Sequence, residues 1–237
     1  MQIGEVAADA MNTLLLEKPL WCSKMLLAAG AVPAIVHAVD VSPAHGVQAA
    51  AAGTLQNLAS VSDPIRSDIV AAGGVRPVVK MLRRQDVTHA VATSACGVLQ
   101  NLALLPENEE AILEGGCVQV LLHHCSKGIR LIDYDERDKP VIEAAALALM
   151  NIASGGEAAC RAIGEHDGIH VLVGLLHLHS RHNPKTGVLE MPTPSLQIIH
   201  AAGATLRGIA MLPDMQGQLR AGKRLWYARA SRTPRHL

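Results

Sequence analysis

The chain has 237 residues; 49% are hydrophobic yet only 2% are aromatic, and Phe is absent. Lysine plus arginine equals aspartate plus glutamate at 21 each, so no general field draws in nucleic acid or an anionic membrane, and neither is expected as a partner. The apolar mass is Ala, Leu, Val and Ile, which suits closely stacked helices, and the five scattered cysteines (Cys22, Cys96, Cys117, Cys125, Cys160) read as buried free thiols of a reducing compartment.

Residues 1 to about 40 form an incomplete first unit. Val6 to Leu16 has a helical pattern, with Asn12 in register and Thr13 where an apolar residue belongs. This is either an atypical capping unit or the end of an array continuing upstream. Met1 is followed by Gln2, Ile3, Gly4 and Glu5, without a basic start or apolar core, so no signal peptide is predicted and the cytoplasm, or else the nucleus, is the expected compartment. Met25 to Ala38 then carries an Ala29-Gly30 junction, with Pro33 just inside the next helix.

The second unit, about 41–84, ends its long helix with Ala51, Leu55 and Leu58 on one apolar stripe. Asn57 lies about 120 degrees around from that stripe and Gly53 one turn before it, so both are expected to face away from the core. Asp63-Pro64 reads as a helix start, and Gly73-Gly74 as a sharp left-handed turn into the next helix. The third unit, about 85–126, repeats the pattern, with Ala95, Leu99 and Leu102 inward and Gly97 and Asn101 outward.

Regularity then fails at Lys127 to Pro140, a mixed-charge insertion holding Asp133, Asp135, Glu136 and Asp138 among Arg130, Arg137 and Lys139; it reads as a solvated loop. The fourth unit, about 139–180, buries Ala145, Leu149 and Ile152 and is followed by a Pro- and Gly-rich insertion, Ser180 to Ser195. A last, incomplete unit covers about 195–222, and a basic tail follows at 223–237. Two stretches, Val41 to Ser62 and Val87 to Pro106, lack charged residues over a bilayer-spanning length. Each coincides with the last helix of a unit, so buried helices are predicted and no transmembrane segment.

Two anchors alternate through these units. One is Leu-x-Asn-apolar-Ala, at Leu55-Asn57, Leu99-Asn101 and Leu149-Asn151, with Leu206 and Gly208 as a degraded fourth copy; the first interval is 44 residues and the second 50. The other is the small-residue junction at Ala29-Gly30, Gly73-Gly74, Gly115-Gly116, Asp167-Gly168 and Ala221-Gly222. Read with AAAAGTLQNLAS (Ala49 to Ser60), IVAAGGVRPVVKMLR (Ile69 to Arg83) and AALALMNIAS (Ala145 to Ser154), the chain resembles the armadillo repeat over nearly its whole length.

That resemblance implies an all-α, right-handed superhelical solenoid of about four to five three-helix repeats. It also implies a concave groove lined by the last helix of each unit, where Asn amides bond the backbone of an extended peptide. An amide suits this because it offers both a donor and an acceptor, at about 0.5 to 1.5 kcal/mol per bond. The candidate partner-binding residues are Gly53, Asn57, Gly97, Asn101, Leu147, Asn151 and Arg207. The asparagines have a second role open to them, holding neighbouring units in register. Nuclear-import receptors of this family place Trp four residues before the Asn; here Gly53, Gly97 and Leu147 stand there, which argues against recognition of nuclear signals and for a wide, shallow groove.

The expected function is therefore a non-catalytic scaffold or adaptor for a partner protein's extended segment. The alternative is the substrate-recognition fragment of a larger enzyme, such as an armadillo-containing ubiquitin ligase. No catalytic residue, cofactor or metal is assigned. Cys160 and His166 have no third orienting group, and His123, His124, His177, His179 and His182 lack paired cysteines and read as solvent-facing helix ends. The tail residues Lys223, Arg224, Arg229, Arg232 and Arg235, with Trp226 and Tyr227, read as a disordered end rather than an RNA or membrane contact.

Overall fold

A computed structural model describes residues 10, 13–15, 17–41, 45–129, 135–178 and 195–221, and these are helices, turns and short connections without a strand. The all-α expectation therefore holds over the described residues. Asn12, residues 130–134 of the first insertion, residues 180–194 of the second and the basic tail lie outside them.

The chain divides into two compact parts, Met1–Val120 and Leu121–Leu237. In the first, α1 (Pro19–Ala28) and α2 (Ala31–Val41) precede a long α3 (His45–Val61), a short α4 (Asp63–Ala71) and a short α5 (Val75–Leu82). The pattern of one long and two short helices then recurs. A long α6 (His89–Leu102) leads through a 3-10 turn, Pro106–Asn108, into α7 (Glu109–Glu114) and α8 (Cys117–Lys127), within which the first part ends at Val120. The second part holds α9 (Lys139–Gly155), α10 (Glu157–Glu165), α11 (Gly168–Leu178) and α12 (Leu196–Ala210), the last followed by a 3-10 turn at Pro213–Met215. α9 starts at Lys139, so the last two residues of the expected insertion, Lys139 and Pro140, are its first turn, where a proline costs no hydrogen bond.

Equivalent helices stack on one another. α3 packs along α6 and α2 along α5 in the first part, and α9 along α12 in the second. This is the stacking by which repeat units share one apolar core, each burying a face it cannot bury alone. The three predicted stripes are buried: Ala51, Leu55 and Leu58; Ala95, Leu99 and Leu102; Ala145, Leu149 and Ile152. The two uncharged stretches become α3 and α6, and among the described residues no single helix is long and apolar enough to cross a membrane.

One left-handed residue makes the turn at each described junction: Gly30 (φ 64°), Gly73 (75°), Gly116 (76°) and Asp167 (61°). Asp is one of the few side-chain-bearing residues that tolerates this conformation, which is how the fourth junction dispenses with glycine. The neighbouring Gly74 has an ordinary helical φ and is needed for a different reason. A Cβ there would stand 2.8 Å from Ile69 Cγ2 and 2.9 Å from the Ile69 carbonyl.

The last carbonyls of a helix have no partner within it, and those of the long helices are answered by side chains from the following segment. Arg66 Nε donates to Ala59 O at 2.8 Å, Asn108 Nδ2 to Leu102 O at 3.0 Å, and the Cys160 thiol to Ala153 O at 3.3 Å. Ala59 and Ala153 occupy the same repeat position, two residues after Asn57 and Asn151, and Arg66 and Cys160 also correspond. One geometric need is met by unlike chemistry.

Candidate functional site

The candidate residues sit on α3 and α6 in the first part and on α9 and α12 in the second. Gly53, Asn57, Asn101, Leu147 and Asn151 are half-buried, and Arg207 is exposed. The asparagine positions follow from helical geometry, since a residue about 120 degrees from the apolar stripe lies at the edge of the buried face, whereas Gly53 and Leu147 fall on the side nearly opposite the stripe.

The α3–α6 contact brings two of the candidates, Gly97 and Asn101, against Gln56 of α3. Asn101 Nδ2 donates to the Gln56 carbonyl of α3 at 3.0 Å, across 45 residues of sequence. The amide oxygen of Asn101 accepts no hydrogen bond among the described residues. The register role and an available acceptor therefore coexist in one side chain.

Gly97 departs from the outward position expected of it. It is buried, because the Gln56 side chain lies across it: a Cβ at Gly97 would meet Gln56 Nε2 at 2.3 Å and Cδ at 2.7 Å. A side chain at Gly97 would require the Gln56 side chain to move aside, so the glycine at the family's Trp position goes together with the packing of Gln56 across α6. Gln56 is the residue that sequence reasoning missed. It is the variable position of Leu-x-Asn, and only the stacking of the two helices reveals that it covers the glycine of the next repeat.

In the second part, Leu147 and Asn151 are carried by α9 and Arg207 by α12, which packs on it. Gly208, at the asparagine position of the fourth copy, lies against Cys160, whose Sγ would be 3.1 Å from a Cβ there. A side chain at this position would have to displace the Cys160 sulfur by a few tenths of an ångström. Arg161 bonds Glu157 at 2.6 Å and also Asp214, tying α10 to the 3-10 turn after α12; the guanidinium holds the Asp214 carboxyl below the usual carboxylate range.

Other constellations show what their residues do. The Cys160 thiol is buried and directed at Ala153 O, while His166 is exposed and its Nδ1 lies 2.7 Å from Ala162 O. His123 is exposed, but His124 is buried, contrary to the expected solvent-facing helix end, and the rings meet edge-on at 5.5 Å. α8 turns His124 inward beside Cys125, one residue from the exposed face. His179 and His182 lie outside the described residues. Among the described residues, no three His, Cys, Asp or Glu side chains are grouped so as to hold a metal ion.

Residues 22–60 match the Armadillo/beta-catenin-like repeat profile. A designed armadillo repeat protein superposes with a TM-score of 0.74 at 22% identity, over 92% of this chain and 81% of its own. An engineered protein of known crystal structure is 30% identical over 87% of this chain and 72% of its own, with a TM-score of 0.68. A further designed armadillo repeat protein, solved in complex with the peptide (KR)4, is 23% identical over 91% of this chain and 80% of its own, with a TM-score of 0.68. No significant match is found among curated proteins. By repeat pattern, helix order and these similarities, the chain belongs to the armadillo repeat family and is an all-α armadillo solenoid.

Proposed function

We propose that the chain is a non-catalytic scaffold that binds an extended segment of a partner protein along the exposed edges of its long helices. The observation that carries this reading is Asn101, whose amide is anchored to Gln56 O and turns an unbonded acceptor to a half-buried surface. An acceptor fixed in this way has already lost its rotamer entropy and can take a peptide N–H without that cost. The similarity to a designed armadillo protein that was solved with a peptide supports the same reading.

Three or four amide contacts at about 1 kcal/mol each give only a weak complex, so the partner's side chains must supply the rest. Buried Gly97 under Gln56 leaves no aromatic wall to clasp the stem of a lysine. The reading therefore favours a partner segment with small or aliphatic side chains over a basic one.

The test compares cross-linked captures from lysate by the wild-type chain and by the Asn57→Ala, Asn101→Ala double variant, each first checked for helicity and melting temperature. A protein retained by the wild type and reduced about tenfold with the variant is expected, corresponding to two lost bonds of roughly 0.7 kcal/mol each. Equal captures by two well-folded chains would refute the asparagine face as the binding surface.

A further inference from the structure

A second surface in the first compact part, separate from the asparagine edge, has the makings of a binding site. α5 buries Val75, Val78, Val79, Met81 and Leu82, and the residues left outside include Arg76, Lys80 and Arg83. Their i, i+4, i+7 spacing aligns the three cations along one side of the helix. They border an open cleft of about 620 Å³, faced across by Leu113, Glu114 and Gly116 at the α7–α8 junction.

The three cations differ in what they already hold. Lys80 Nζ donates to Asp40 Oδ1 at 2.8 Å, which neutralises the middle of the row. The guanidinium groups of Arg76 and Arg83, at its two ends, have no hydrogen bond or ion pair among the described residues. The Arg83 guanidinium lies over Gly116, where a Cβ would stand 2.7 Å from Nη2. The left-handed glycine thus turns the chain into α8 and also leaves room for the cation at the mouth of the cleft. Glu114 is the one lining carboxylate besides Asp40, so positive charge remains in excess.

We propose that this cleft binds an extended acidic peptide segment, with two carboxylates three residues apart paired to Arg76 and Arg83. The spacing selects the geometry. Seven helical residues separate the two arginines by roughly 10.5 Å along the axis, and positions i and i+3 of a polyproline II segment lie on one face about 9.3 Å apart. A β-strand would send the same two side chains to opposite faces. A guanidinium takes a carboxylate through two parallel hydrogen bonds, which a lysine does not, and Leu113 with Pro77 offers apolar surface to the residues between.

The experiment titrates the full chain, at low salt, into fluorescein-labelled Gly-Glu-Pro-Pro-Glu-Gly and follows anisotropy, with the Gln-for-Glu peptide as control. Saturable binding of the glutamate peptide is expected, about tenfold weaker for Arg76→Gln or Arg83→Gln and intermediate for Arg83→Lys. Circular dichroism should be unchanged, and the Asn57→Ala, Asn101→Ala variant should bind as the wild type does. Absence of saturation, equal affinity for the two peptides, full affinity in the arginine variants, or loss in the asparagine variant overturns the proposal.

Discussion

Gly73 and Gly74 are adjacent, and each resists substitution for a different cause. At Gly73 a Cβ would meet nothing within 4 Å, so the cost of Gly73→Ala is the left-handed backbone alone, about 1 to 2 kcal/mol. At Gly74 the backbone is relaxed and the obstacle is Ile69. The second substitution Ile69→Ala, which removes the obstructing Cγ2, should therefore lessen the effect of Gly74→Ala and leave that of Gly73→Ala as it was; urea denaturation of the variants measures both. At Asp167 the strain that glycine would relieve is comparable to the unfolded-chain entropy it would add, so Asp167→Gly should change stability by less than about 0.5 kcal/mol.

Asn101 and Gln56 also belong to this scale, and they show what a sequence can and cannot say of a side chain. That Asn101 leaves the apolar stripe follows from 100 degrees per residue. That its amide reaches the Gln56 carbonyl, and that the Gln56 side chain buries Gly97, depends on where α3 stands relative to α6. The two residues in the bond are 45 positions apart, and no local periodicity encodes that distance.

The helices themselves are specified more locally, by caps as much as by apolar spacing. Thr88 Oγ1 accepts from Val91 N at the start of α6, and Ser195 Oγ accepts from Ile198 N at the start of α12, each at 3.3 Å. Ser195 is buried as well, so water does not replace the lost acceptor; Ser195→Ala should destabilise the chain by about 1 kcal/mol, read from its thermal or urea transition. Buried Thr54 and Thr205, at the same repeat position on α3 and α12, each return a hydroxyl hydrogen bond of 2.8 Å to the carbonyl four residues back. A polar residue is thereby tolerated inside an apolar stripe.

The far ends of the long helices need partners from another element. Asn108 is buried and its Nδ2 bonds Leu102 O, so Asn108→Ala should cost about 1 to 3 kcal/mol, the penalty for a buried carbonyl deprived of its donor. Stability measured against Asn108→Asp, which keeps the size but not the donor, separates this bond from packing. The asparagine at 108 carries no repeat signature, and its role is visible only once the 3-10 turn at Pro106–Asn108 is folded back on α6.

Across the molecule, all five cysteines are buried and free. Burial pushes the thiols of Cys117 and Cys125 up to about 12, from 9.0, with the Arg83 charge acting against the shift at Cys117. The folded state therefore binds these protons more tightly than the unfolded chain. Their contribution to stability is intact below pH 9 and is lost as pH rises from there toward 12, by on the order of 1 kcal/mol per pH unit for each thiol. Urea midpoints taken at pH 8 and pH 10 should show this fall, and Cys125→Ala should lessen it. A flat profile between those two values would contradict the assigned burial of the thiols.

What the sequence determined unaided is the repeated element: all-α class, the alternation of long and short helices, the inward stripes, and the left-handed turns at the small-residue junctions. These rest on interactions within a few residues, where spacing and backbone preference act directly. The tertiary structure decided which edge positions stay available. It covered Gly97, engaged one end of the Asn101 amide, turned His124 inward, and set Arg76 and Arg83 along a cleft facing the next junction. Those outcomes depend on contacts between elements tens of residues apart, and such contacts are set by how the helices stack, after local pattern has done its part.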